Sequence, residues 1–561
     1  MSHSRWNLLP PIPDNLPGSN PAIAPLVVQL LYNRGLTQLS EHESFLAADE
    51  SLSGDPDLLP GMQAAVARIY RALLSGENIA VYGDFDADGI TATALLVQGL
   101  SLLNCQATPY IPHRMTEGYG LKTPALEKLR QQGISLVITV DCGITAFSEV
   151  SKARKKGMDI IITDHHTPSD EIPEAVAVIN PKLAGSPYPF IELAGVGVAL
   201  KLLQALFRSL GKEDLIAQLL DLVAIGTVAD MVPLLGENRF LVKRGLEILN
   251  MSPRLGVREM IAQTRLHTGT LESESISWTI APLLNAAGRL EHAISSYKLL
   301  MTDSPEEARE LAHWLGQKNA ERQKLTVRSL ARAREQALEQ GDVPLLIVSD
   351  MEYPAGIMGL VAGRLTEEFY RPVVVIRTGE RASGGSCRSI PEFDIIQALN
   401  KCSHLLTHFG GHARAAGLGL RTIDLPRFRQ ELVEIAAVEL EGVDLRPRVD
   451  IDAEVDLAGL AGDVFPTIQK MAPFGQGNPA PVFLSRGVQV LDYRTMGNGD
   501  DHLRFELSQS GSVWNAVGFG LGKYLDEISS EIDIVYNLEI DSWGGQDKLR
   551  LNITDFSPAG L

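Results

Sequence analysis

The sequence has few cysteines and no long apolar run, and each shortage excludes a class of protein. Its four cysteines, among 561 residues, are scattered without C-x-x-C spacing, which argues against both a zinc ribbon and a disulfide framework. No apolar stretch approaches the ~20 residues that a membrane-spanning helix needs. The N-terminal segment also lacks the charged and then apolar layout of a signal peptide, so we expect a cytoplasmic protein with reduced thiols and no membrane association.

Basic residues are fewer than acidic ones. The chain has 50 Lys and Arg and 69 Asp and Glu, which gives a net charge of −19. Phosphate binding relies on Lys and Arg side chains that release condensed counterions. The net charge therefore argues against a surface that coats nucleic acid generally, and it predicts that any basic track is confined to one groove. The length favours about three to four domains of ~150 residues each, and 45% apolar residues are sufficient for their cores.

The chain is rich instead in acids that follow apolar, strand-like runs. From about residue 62 such runs alternate with helical patterns, which predicts a doubly wound α/β fold with a parallel sheet. The run IAVYG leads into Asp84, LVITV into Asp141, and DIIIT into the Asp-His-His sequence at 164–166. Because ligand crevices lie beyond the carboxyl ends of parallel strands, we expect these side chains to meet at one edge of the sheet.

The first of these loops, GDFDADG at 83–89, has the Asp84, Asp86 and Asp88 spacing that opens an EF-hand calcium loop. The twelfth position of such a loop carries a bidentate Glu, but here it is Leu95, and the loop follows a strand rather than a helix. A calcium cage is therefore disfavoured. A solvated turn or a helix cap would explain each Asp singly, but not three strand ends that carry acids and imidazoles together.

Asp86, Asp88, Asp141 and Asp230 would form a cluster of like charges that requires a cation, with His165 beside them. Asp230 follows an apolar, helix-like run, and a helix-terminal cap is the alternative interpretation of it. A carboxylate-rich set with imidazole and without thiolate favours Mn²⁺ or Mg²⁺ over Zn²⁺ and Ca²⁺. The acids suffice for two ions, an arrangement that hydrolyses phosphoesters without a Ser or Cys nucleophile.

A long helical pattern covers about residues 305–340, and Ser304, Pro305 and Glu307 form a capping box at its start. At ~1.5 Å per residue this helix would be about 50 Å long, which suits a spacer between two lobes. Six basic residues in its middle form either a solvated face or a phosphate track, and both interpretations stay open. These residues are Lys318, Arg322, Lys324, Arg328, Arg332 and Arg334.

Glycine-rich stretches with Arg and His, GSCRS and HFGGHARAAG, indicate a second α/β lobe whose backbone can approach a phosphate closely. From about residue 447, short alternating strands with turn residues predict a small barrel, either an oligonucleotide-binding fold or a generic one. The predicted domains are an N-terminal extension at 1–60 that packs onto the adjoining domain, an α/β domain at 61–304, the helix at 305–341, a smaller α/β domain at 342–446 and the barrel at 447–561.

The motifs GDFDADG, VDCG, DHH and GTVAD, in that order, resemble those of the DHH phosphoesterase superfamily. HFGGHARAAG resembles the DHHA1 lobe that accompanies it. With NAAGRL at 285–290, GSCRS at 385–389 and PFGQGNPAPVF at 473–483, nearly the whole chain resembles the bacterial RecJ family. The resemblance implies an exonuclease that uses two Mn²⁺ or Mg²⁺ ions to degrade single-stranded DNA from the 5′ end, in recombination and repair.

The resemblance also implies roles for particular residues. The implied metal ligands are Asp84, Asp86, Asp88, Asp141, His165 and Asp230. Among them Asp141 is the bridging carboxylate, and Asp84 is either a ligand or a support for Asp86. Asp141, His165 and His166 are the implied catalytic residues, with His166 facing the scissile phosphate and Asp164 orienting the histidines. The implied contacts to the substrate and its 5′-phosphate are Arg114, His166, Arg289, Ser386, Arg388 and His412.

We expect single-stranded DNA as the substrate and a monomeric chain, with a single-strand-binding protein and a helicase as candidate partners. Two other functions stay open: a DHH phosphodiesterase on short oligonucleotides or dinucleotides, and a non-catalytic single-strand-binding replication scaffold. The additional barrel and the N-terminal extension disfavour the first. The intact acid set disfavours the second, because carboxylates without a function are costly to bury together.

Overall fold

A computed structural model of the chain describes residues 3–13, 23–460, 462–497, 499–541 and 548–560. In chain order its helices are α1 (Pro25–Asn33), α2 (Leu39–Ala47), α3 (Met62–Ser75), α4 (Ala87–Ser101), α5 (Thr123–Gln131), α6 (Phe147–Lys155), α7 (Gly195–Ser209), α8 (Leu220–Ala229), α9 (Gly236–Met251), α10 (Leu255–Ala262), α11 (Ser273–Ser275), α12 (Ala281–Leu290), α13 (Ile294–Met301), α14 (Pro305–Glu339), α15 (Met358–Phe369), α16 (Ile395–Lys401), α17 (Leu425–Glu439) and α18 (Val464–Gln469). A π-helical turn, Ile276–Ile280, joins α11 to α12.

The strands, again in chain order, are β1 (Arg5–Leu8), β2 (Ile79–Tyr82), β3 (Thr108–Tyr110), β4 (Leu136–Val140), β5 (Asp159–Thr163), β6 (Ala177–Ile179), β7 (Leu346–Asp350), β8 (Val373–Arg377), β9 (Ala382–Arg388), β10 (Leu406–His412), β11 (Ala415–Arg421), β12 (Arg448–Ile451), β13 (Ala453–Glu454), β14 (Phe483–Met496), β15 (His502–Gln509), β16 (Ser512–Gly518), β17 (Glu531–Asp541) and β18 (Lys548–Pro558). These elements belong to two compact units. The smaller unit comprises Met1–Ser53, Pro233–Lys243 and Arg446–Leu561, and the larger comprises Gly54–Val232 and Arg244–Leu445.

The larger unit contains a fully parallel sheet in the order β3-β2-β4-β5-β6. Strands β2 and β4 are buried along their whole length, as expected for a parallel sheet covered on both faces. Helices α4 and α7 pack together on one side, and apolar side chains of α5 and α6 join the core on the other. The predicted doubly wound α/β domain is confirmed.

The predicted long helix is α14, and it ends two residues before Gly341. Ser304 caps its start by accepting a hydrogen bond from the Glu307 amide at 3.3 Å. Beyond it lies a second sheet in the order β10-β11-β9-β8-β7, in which only β7 and β8 pair in parallel. Helices α14 and α15 cover one face of this sheet, and α16 and α17 cover the other. This arrangement is the predicted smaller α/β domain.

The smaller unit contains a sheet in the order β13-β14-β15-β16-β18-β17, and β14 also pairs with β17. That additional pairing closes β14, β15, β16, β18 and β17 into a barrel, which leaves few open strand edges. Phe483, Phe505 and Phe556 are among the fully buried side chains inside it. The predicted C-terminal barrel is confirmed as a closed, OB-like one.

The N-terminal extension packs differently from the expectation that it lies on the domain adjoining it in sequence. Strand β1 pairs in parallel with β12, with Arg5 opposite Arg448. The Trp6 indole donates a hydrogen bond to Asp555 at 2.8 Å, and the apolar face of α1 joins the barrel core. The extension belongs to the barrel unit because its apolar side chains and its strand find partners there, far away in sequence.

The segment Pro233–Lys243 also packs within the smaller unit, although the sequence predicted it inside the α/β domain at 61–304. Arg239 is fully buried and has its guanidinium group stacked on the Phe45 ring at 4.0 Å. It donates hydrogen bonds to the carbonyl oxygens of Phe45, Lys470 and Met471 at 2.8, 3.0 and 2.6 Å. These bonds satisfy a buried cation with main-chain acceptors and hold the segment in place.

Among the helices in the described ranges, none has both the length and the apolar character needed to cross a membrane. All four cysteines lie in described ranges, and they form no disulfide.

Candidate metal centre and anion pocket

Three strand ends bring acids and imidazoles to one edge of the parallel sheet. The loop after β2 carries Asp84, Asp86 and Asp88, β4 leads directly into Asp141, and β5 leads into Asp164, His165 and His166. Asp230 arrives from another direction as the residue that ends α8. The potential ligand atoms approach within 4.8 Å of one another in three overlapping groups: Asp84, Asp86 and Asp141; Asp88, His165 and Asp230; and Asp141, His165 and His166.

The structure therefore brings together every residue that the sequence predicted as a metal ligand. The Nε2 atom of His165 lies 3.2 Å from Asp141 Oδ1 and 3.5 Å from Asp230 Oδ2, so this imidazole joins the groups. Burial, followed by the nearby charge of His166, lowers the pKa of His165 to about 3. His165 is thus neutral at physiological pH, which is the form that ligates a cation.

The carboxyl groups of the cluster are strongly perturbed. Burial, and then the neighbouring carboxylates, raise the pKa of Asp88 to about 7 and that of Asp230 to about 9. The same two causes raise the pKa of Asp84 and of Asp141 well above the ordinary range. These four acids resist ionising together because each charge is buried beside the others.

Several buried acceptor atoms in this cluster lack a hydrogen-bond partner, namely Asp84 Oδ1, Asp141 Oδ1 and His165 Nε2. Such orphaned acceptors are costly in a protein interior. A divalent cation would satisfy them and offset the repulsion between the carboxylates. Oxygen ligands with imidazole and without thiolate suit Mn²⁺ or Mg²⁺, so the residues fit the predicted cations.

Asp88 and Asp141 are positioned by the start of α7, a contact that the sequence did not predict. Both oxygens of Asp88 accept hydrogen bonds from main-chain amides in the first turn of that helix, from Gly195 at 2.7 Å and from Val196 at 2.8 Å. A carboxylate is favoured at this end of a helix dipole. A β-carbon on Gly195 would lie 2.6 Å from the Asp141 β-carbon, so only glycine fits there.

The backbone of Asp141 has a φ of 59°, in the left-handed region that non-glycine residues seldom adopt. Its amide donates to the carbonyl oxygen of Thr163 at 3.1 Å, which ties the turn after β4 to the end of β5. Strained backbone of this kind persists where the surroundings determine it, commonly at functional sites. Here it aims the Asp141 carboxylate at His165.

Asp164 holds His166 in one orientation. It is fully buried and accepts hydrogen bonds from the amides of Ile144, His165 and His166 at 2.9, 2.8 and 3.1 Å. Its Oδ1 also lies 2.7 Å from Nδ1 of His166. Burial alone would raise the pKa of Asp164, but the bonds from His166 and the amides bring it below its ordinary value.

The pKa of His166 is raised, whereas that of Asp164 is lowered. Burial would lower the pKa of His166, but the bond to Asp164 and the surrounding acids raise it above the ordinary value. The Tyr119 hydroxyl lies 3.2 Å from the same Nδ1 and 3.4 Å from the Asp141 carbonyl oxygen. Tyr119 was missed in the sequence, where its loop offered only an isolated aromatic residue between glycines. No hydrogen bond from the described residues reaches Nε2 of His166, so that nitrogen is available to a ligand.

Asp84 and Asp86 differ in their contacts. Asp86 caps α4, since its Oδ1 accepts from the Gly89 amide at 3.1 Å. Asn285 of the NAAGRL motif supports the same turn by accepting from the Ala87 amide at 2.9 Å. Asp84 makes no side-chain bond to Asp86 in the described structure, and its orphaned Oδ1 favours a ligand over a mere support.

An arginine pocket lies beside the acids. The Arg114 guanidinium stacks on the ring of Phe85, the residue between Asp84 and Asp86, at 4.8 Å. Arg289 donates to the Gly356 carbonyl oxygen at 3.2 Å. Side-chain atoms of Arg388 and Ser386 would lie 3.0 and 3.1 Å from a β-carbon on Gly359, so a glycine leaves room for both.

These cations perturb one another. Burial, and then the charges of Arg114, Arg322 and Arg388, lower the pKa of Arg289 to about 9. Within the described ranges, no carboxylate lies within ion-pair distance of any of these four arginines, although the chain carries 69 acidic residues. A cluster of uncompensated guanidinium groups is suited to an anion such as a phosphate.

The structure shows which of the six basic residues on the long helix are free to form the phosphate track considered from the sequence. Four of its six cations are paired with acids: Lys318 with Glu291 and Glu321, Arg328 with Glu352, Arg332 with Asp350 and Glu352, and Arg334 with Glu368. Of the two others, Lys324 is exposed, whereas Arg322 is half-buried and its charge lowers the pKa of Arg289. Acids of the second lobe pair with Arg328, Arg332 and Arg334, while Lys318 pairs with Glu291 after α12 and with Glu321 on its own helix, so these four side chains favour the solvated face over the phosphate track.

His412 stands apart from the other predicted residues. It ends the edge strand β10 and is exposed. The described contacts connect it neither to the acids nor to the arginine pocket. The structure thus brings the predicted site residues together except for this one, and it adds Tyr119, Gly195 and Asn285.

A doubly wound sheet with this acid and imidazole edge, joined to a second α/β lobe, defines a DHH-type phosphoesterase. Three family profiles match the chain: the DHH family, N-terminal domain, at 78–227, the DHHA1 domain at 342–437 and the RecJ OB domain at 451–555. Because proteins of the RecJ family also match it over nearly its full length, the chain belongs to that family.

Among its relatives, the single-stranded-DNA-specific exonuclease RecJ of Bacillus subtilis is 38% identical over 99% of this chain and 71% of its own length. The protein with the same name in Salmonella typhimurium is 33% identical over 96% of both chains. The structure of RecJ from Thermus thermophilus in complex with Mn²⁺ matches 99% of this chain and 80% of its own, with 31% identity and a TM-score of 0.87. The complex of the same protein with Mg²⁺ gives 30% identity and a TM-score of 0.80, over 99% of this chain and 79% of its own.

Proposed function

We propose that this protein is a metal-dependent exonuclease that hydrolyses single-stranded DNA from the 5′ end to mononucleotides, in DNA recombination and repair. The observation that carries the proposal is the uncompensated arginine pocket directly beside the acid and imidazole cluster. Phe85 joins the two, since its ring stacks on Arg114 and its neighbours in sequence are Asp84 and Asp86. A phosphate bound by the arginines would place the adjoining phosphodiester at the acids, which selects for a strand end. Membership of the RecJ family supports the same activity.

The proposed cofactor is a pair of Mn²⁺ or Mg²⁺ ions. Their proposed ligands are Asp84, Asp86, Asp88, Asp141, His165 and Asp230. When bound, such ions stabilise the charge of the phosphodiester and activate water for attack. The structures of Thermus thermophilus RecJ with Mn²⁺ and with Mg²⁺ support this choice of metal.

The remaining chemistry is assigned to side chains of this chain. His165 stays neutral because burial lowers its pKa to about 3, so it acts as a ligand and not as a proton donor. The Nδ1–H group of His166 donates a hydrogen bond to Asp164, which leaves Nε2 for the scissile phosphate. Its raised pKa favours a protonated ring, which would donate a hydrogen bond to a phosphate oxygen. Asp164 fixes the ring orientation.

The proposed 5′-phosphate contacts are Arg114, Arg289, Ser386 and Arg388, and His412 is proposed as a contact from the second lobe. The barrel at 447–561 is proposed to bind single-stranded DNA, as its match to the RecJ OB domain suggests. Partners in the proposed role are a single-strand-binding protein and a helicase. We also propose a monomer that acts in the cytoplasm.

A substrate panel tests the proposal. The chain is incubated with Mn²⁺ and with a single-stranded oligonucleotide, the corresponding duplex, a single-stranded RNA and a dinucleotide, and released mononucleotides are quantified. We expect rapid release from single-stranded DNA and little from the duplex. Asp141→Ala should abolish release, because it removes the carboxylate shared by two of the ligand groups. The matched control is Asp170→Ala, which removes an exposed acid from a loop outside the cluster.

Each contrary outcome has a distinct meaning. Hydrolysis of the dinucleotide in preference to longer strands would favour the short-substrate phosphodiesterase. Binding of single strands without turnover at any Mn²⁺ concentration would favour the non-catalytic scaffold. Cleavage of the duplex alone would contradict the proposed substrate, and full activity in the Asp141→Ala chain would contradict the proposed site.

A further inference from the structure

One cation of α14 differs from the others on that helix. Arg322 is half-buried, its Nε atom has no hydrogen-bond partner, and no described carboxylate lies within ion-pair distance of it. By contrast, Arg328, Arg332 and Arg334 on the following turns are all paired with acids. Burying an unpaired guanidinium group is costly, so a residue in this state requires a partner or a function.

The position of Arg322 is fixed by the contacts around it. Lys318, one turn earlier on α14, forms an ion pair of 2.9 Å with Glu291, which directly follows α12. Arg289 lies two residues before Glu291, so this ion pair brings α14 against the end of α12 that carries the pocket. The effect is electrostatic as well, because the charge of Arg322 joins burial and Arg114 in lowering the pKa of Arg289.

A second unmet polar group lies on the same face of the helix. Asn319 precedes Arg322 by three residues, so the two side chains are neighbours on α14. Its Oδ1 is buried and lacks a hydrogen-bond partner, like Arg322 Nε. Two unpartnered polar atoms on the stretch of helix whose charge acts on Arg289 indicate that this stretch faces a polar ligand.

We propose that Arg322 is a fourth guanidinium group of the anion pocket and strengthens its preference for a 5′-phosphorylated end over a 5′-hydroxyl end. The inference rests on the proposed function, since it names a specificity determinant of the same site. A phosphate monoester carries about −1.5 to −2 charges at pH 7 and three strong acceptor oxygens. A terminal hydroxyl group offers neither, so an additional arginine acts mainly on the phosphorylated form.

The test compares two forms of one oligonucleotide, with a 5′-phosphate and with a 5′-hydroxyl. The ratio of their kcat/KM values is measured for the unmodified chain and for Arg322→Ala, Arg322→Lys and Lys155→Ala. We expect Arg322→Ala to reduce the ratio by about 10- to 100-fold, chiefly through KM, because bonds between charged groups are the strong ones. Arg322→Lys should recover part of the loss, since it keeps the charge without the planar fork.

Lys155→Ala is the control, because Lys155 is an exposed cation on α6 with no described partner. It removes the same charge and should leave the ratio unchanged. An unchanged ratio in Arg322→Ala, whether both kcat/KM values persist or both fall equally, would show that Arg322 only packs the helix and would overturn the inference.

If Arg322→Ala unfolds, Arg322→Gln is tested instead, with thermal unfolding as the check on folding. Binding of the two oligonucleotides to Asp141→Ala chains, with and without Arg322→Gln, supplies a readout that needs no turnover. If the unmodified chain binds strands but does not hydrolyse them, the proposed function is contradicted. The ratio of the affinities for the 5′-phosphate and 5′-hydroxyl oligonucleotides would still decide the role of Arg322.

Discussion

Gly195 lies where a single added methyl group would disturb two of the proposed ligands at once. A β-carbon there would lie 2.6, 2.7 and 2.8 Å from Cβ, Oδ1 and Cγ of Asp141. Ordinary contacts need about 3.5–4.0 Å, so Asp141 or the helix start must move by about 1 Å. The Gly195 amide also donates to Asp88, so a shift of the helix would alter that carboxylate as well.

The expected result for Gly195→Ala is a folded protein with a damaged site. A misplacement of about 1 Å can cost ~10²-fold in rate, and we expect a loss of that order in mononucleotide release from single-stranded DNA. The affinity for Mn²⁺, measured by calorimetry, should fall as well. Overpacking costs about 1–3 kcal/mol of stability, which thermal unfolding would register without loss of the fold.

Gly197→Ala is the matched control. It places the same methyl group two residues further along α7 and gains the same helix propensity. The nearest atom to its β-carbon would be Cδ2 of Leu193 at 3.3 Å, an apolar contact that is relieved by a much smaller movement than the 2.6 Å contact at Gly195. If Gly195→Ala matched this control in both rate and Mn²⁺ affinity, the assignment of Asp141 and Asp88 to the metal centre would be refuted.

The acids of the site give two further predictions. Asp164→Asn removes the carboxylate that accepts the hydrogen bond from His166 Nδ1, with an N···O distance of 2.7 Å, so kcat should fall by about 10- to 100-fold with a smaller change in KM. The raised pKa values of Asp88 and Asp230, about 7 and about 9, mean that the metal-free folded chain binds more protons than the unfolded chain above about pH 4. Their contribution to the free energy of unfolding therefore decreases as pH rises through this window, and Mn²⁺ should raise Tm more at pH 8 than at pH 5.

Steady-state kinetics and thermal unfolding check these two predictions. Wild-type kcat in Asp164→Asn would exclude Asp164 as the residue that positions His166. A larger Mn²⁺ effect on Tm at pH 5 than at pH 8 would show that the cation does not replace protons on these carboxyl groups.

The sequence predicted the acidic edge of the sheet because strand ends can be recognised locally. Each of β2, β4 and β5 is a short apolar run, and the polar residues that follow it must lie at the carboxyl edge when the strands are parallel. The capped start of α14 was likewise readable, since Ser304 and Glu307 are close together in the chain. These features need no knowledge of which distant segments meet.

The features that the sequence did not reveal depend on contacts between distant segments. Nothing near Asp88 indicates that its carboxylate receives the first amides of a helix that starts at Gly195. The acids that pair with Arg328 and Arg334 come from the second lobe. The sequence of the helix alone therefore could not show that these cations are already paired and not free to bind phosphate. In the same way, β1 finds its partner in β12, more than 400 residues downstream.

The most direct test of the central claim is the polarity of degradation. One single-stranded oligonucleotide is labelled at its 5′ end in one sample and at its 3′ end in another, and both are incubated with the chain and Mn²⁺. We expect the 5′ label to appear at once as a mononucleotide, while the 3′ label persists on strands that shorten stepwise. Immediate release of the 3′ label, or internal fragments from both samples, would contradict this expectation.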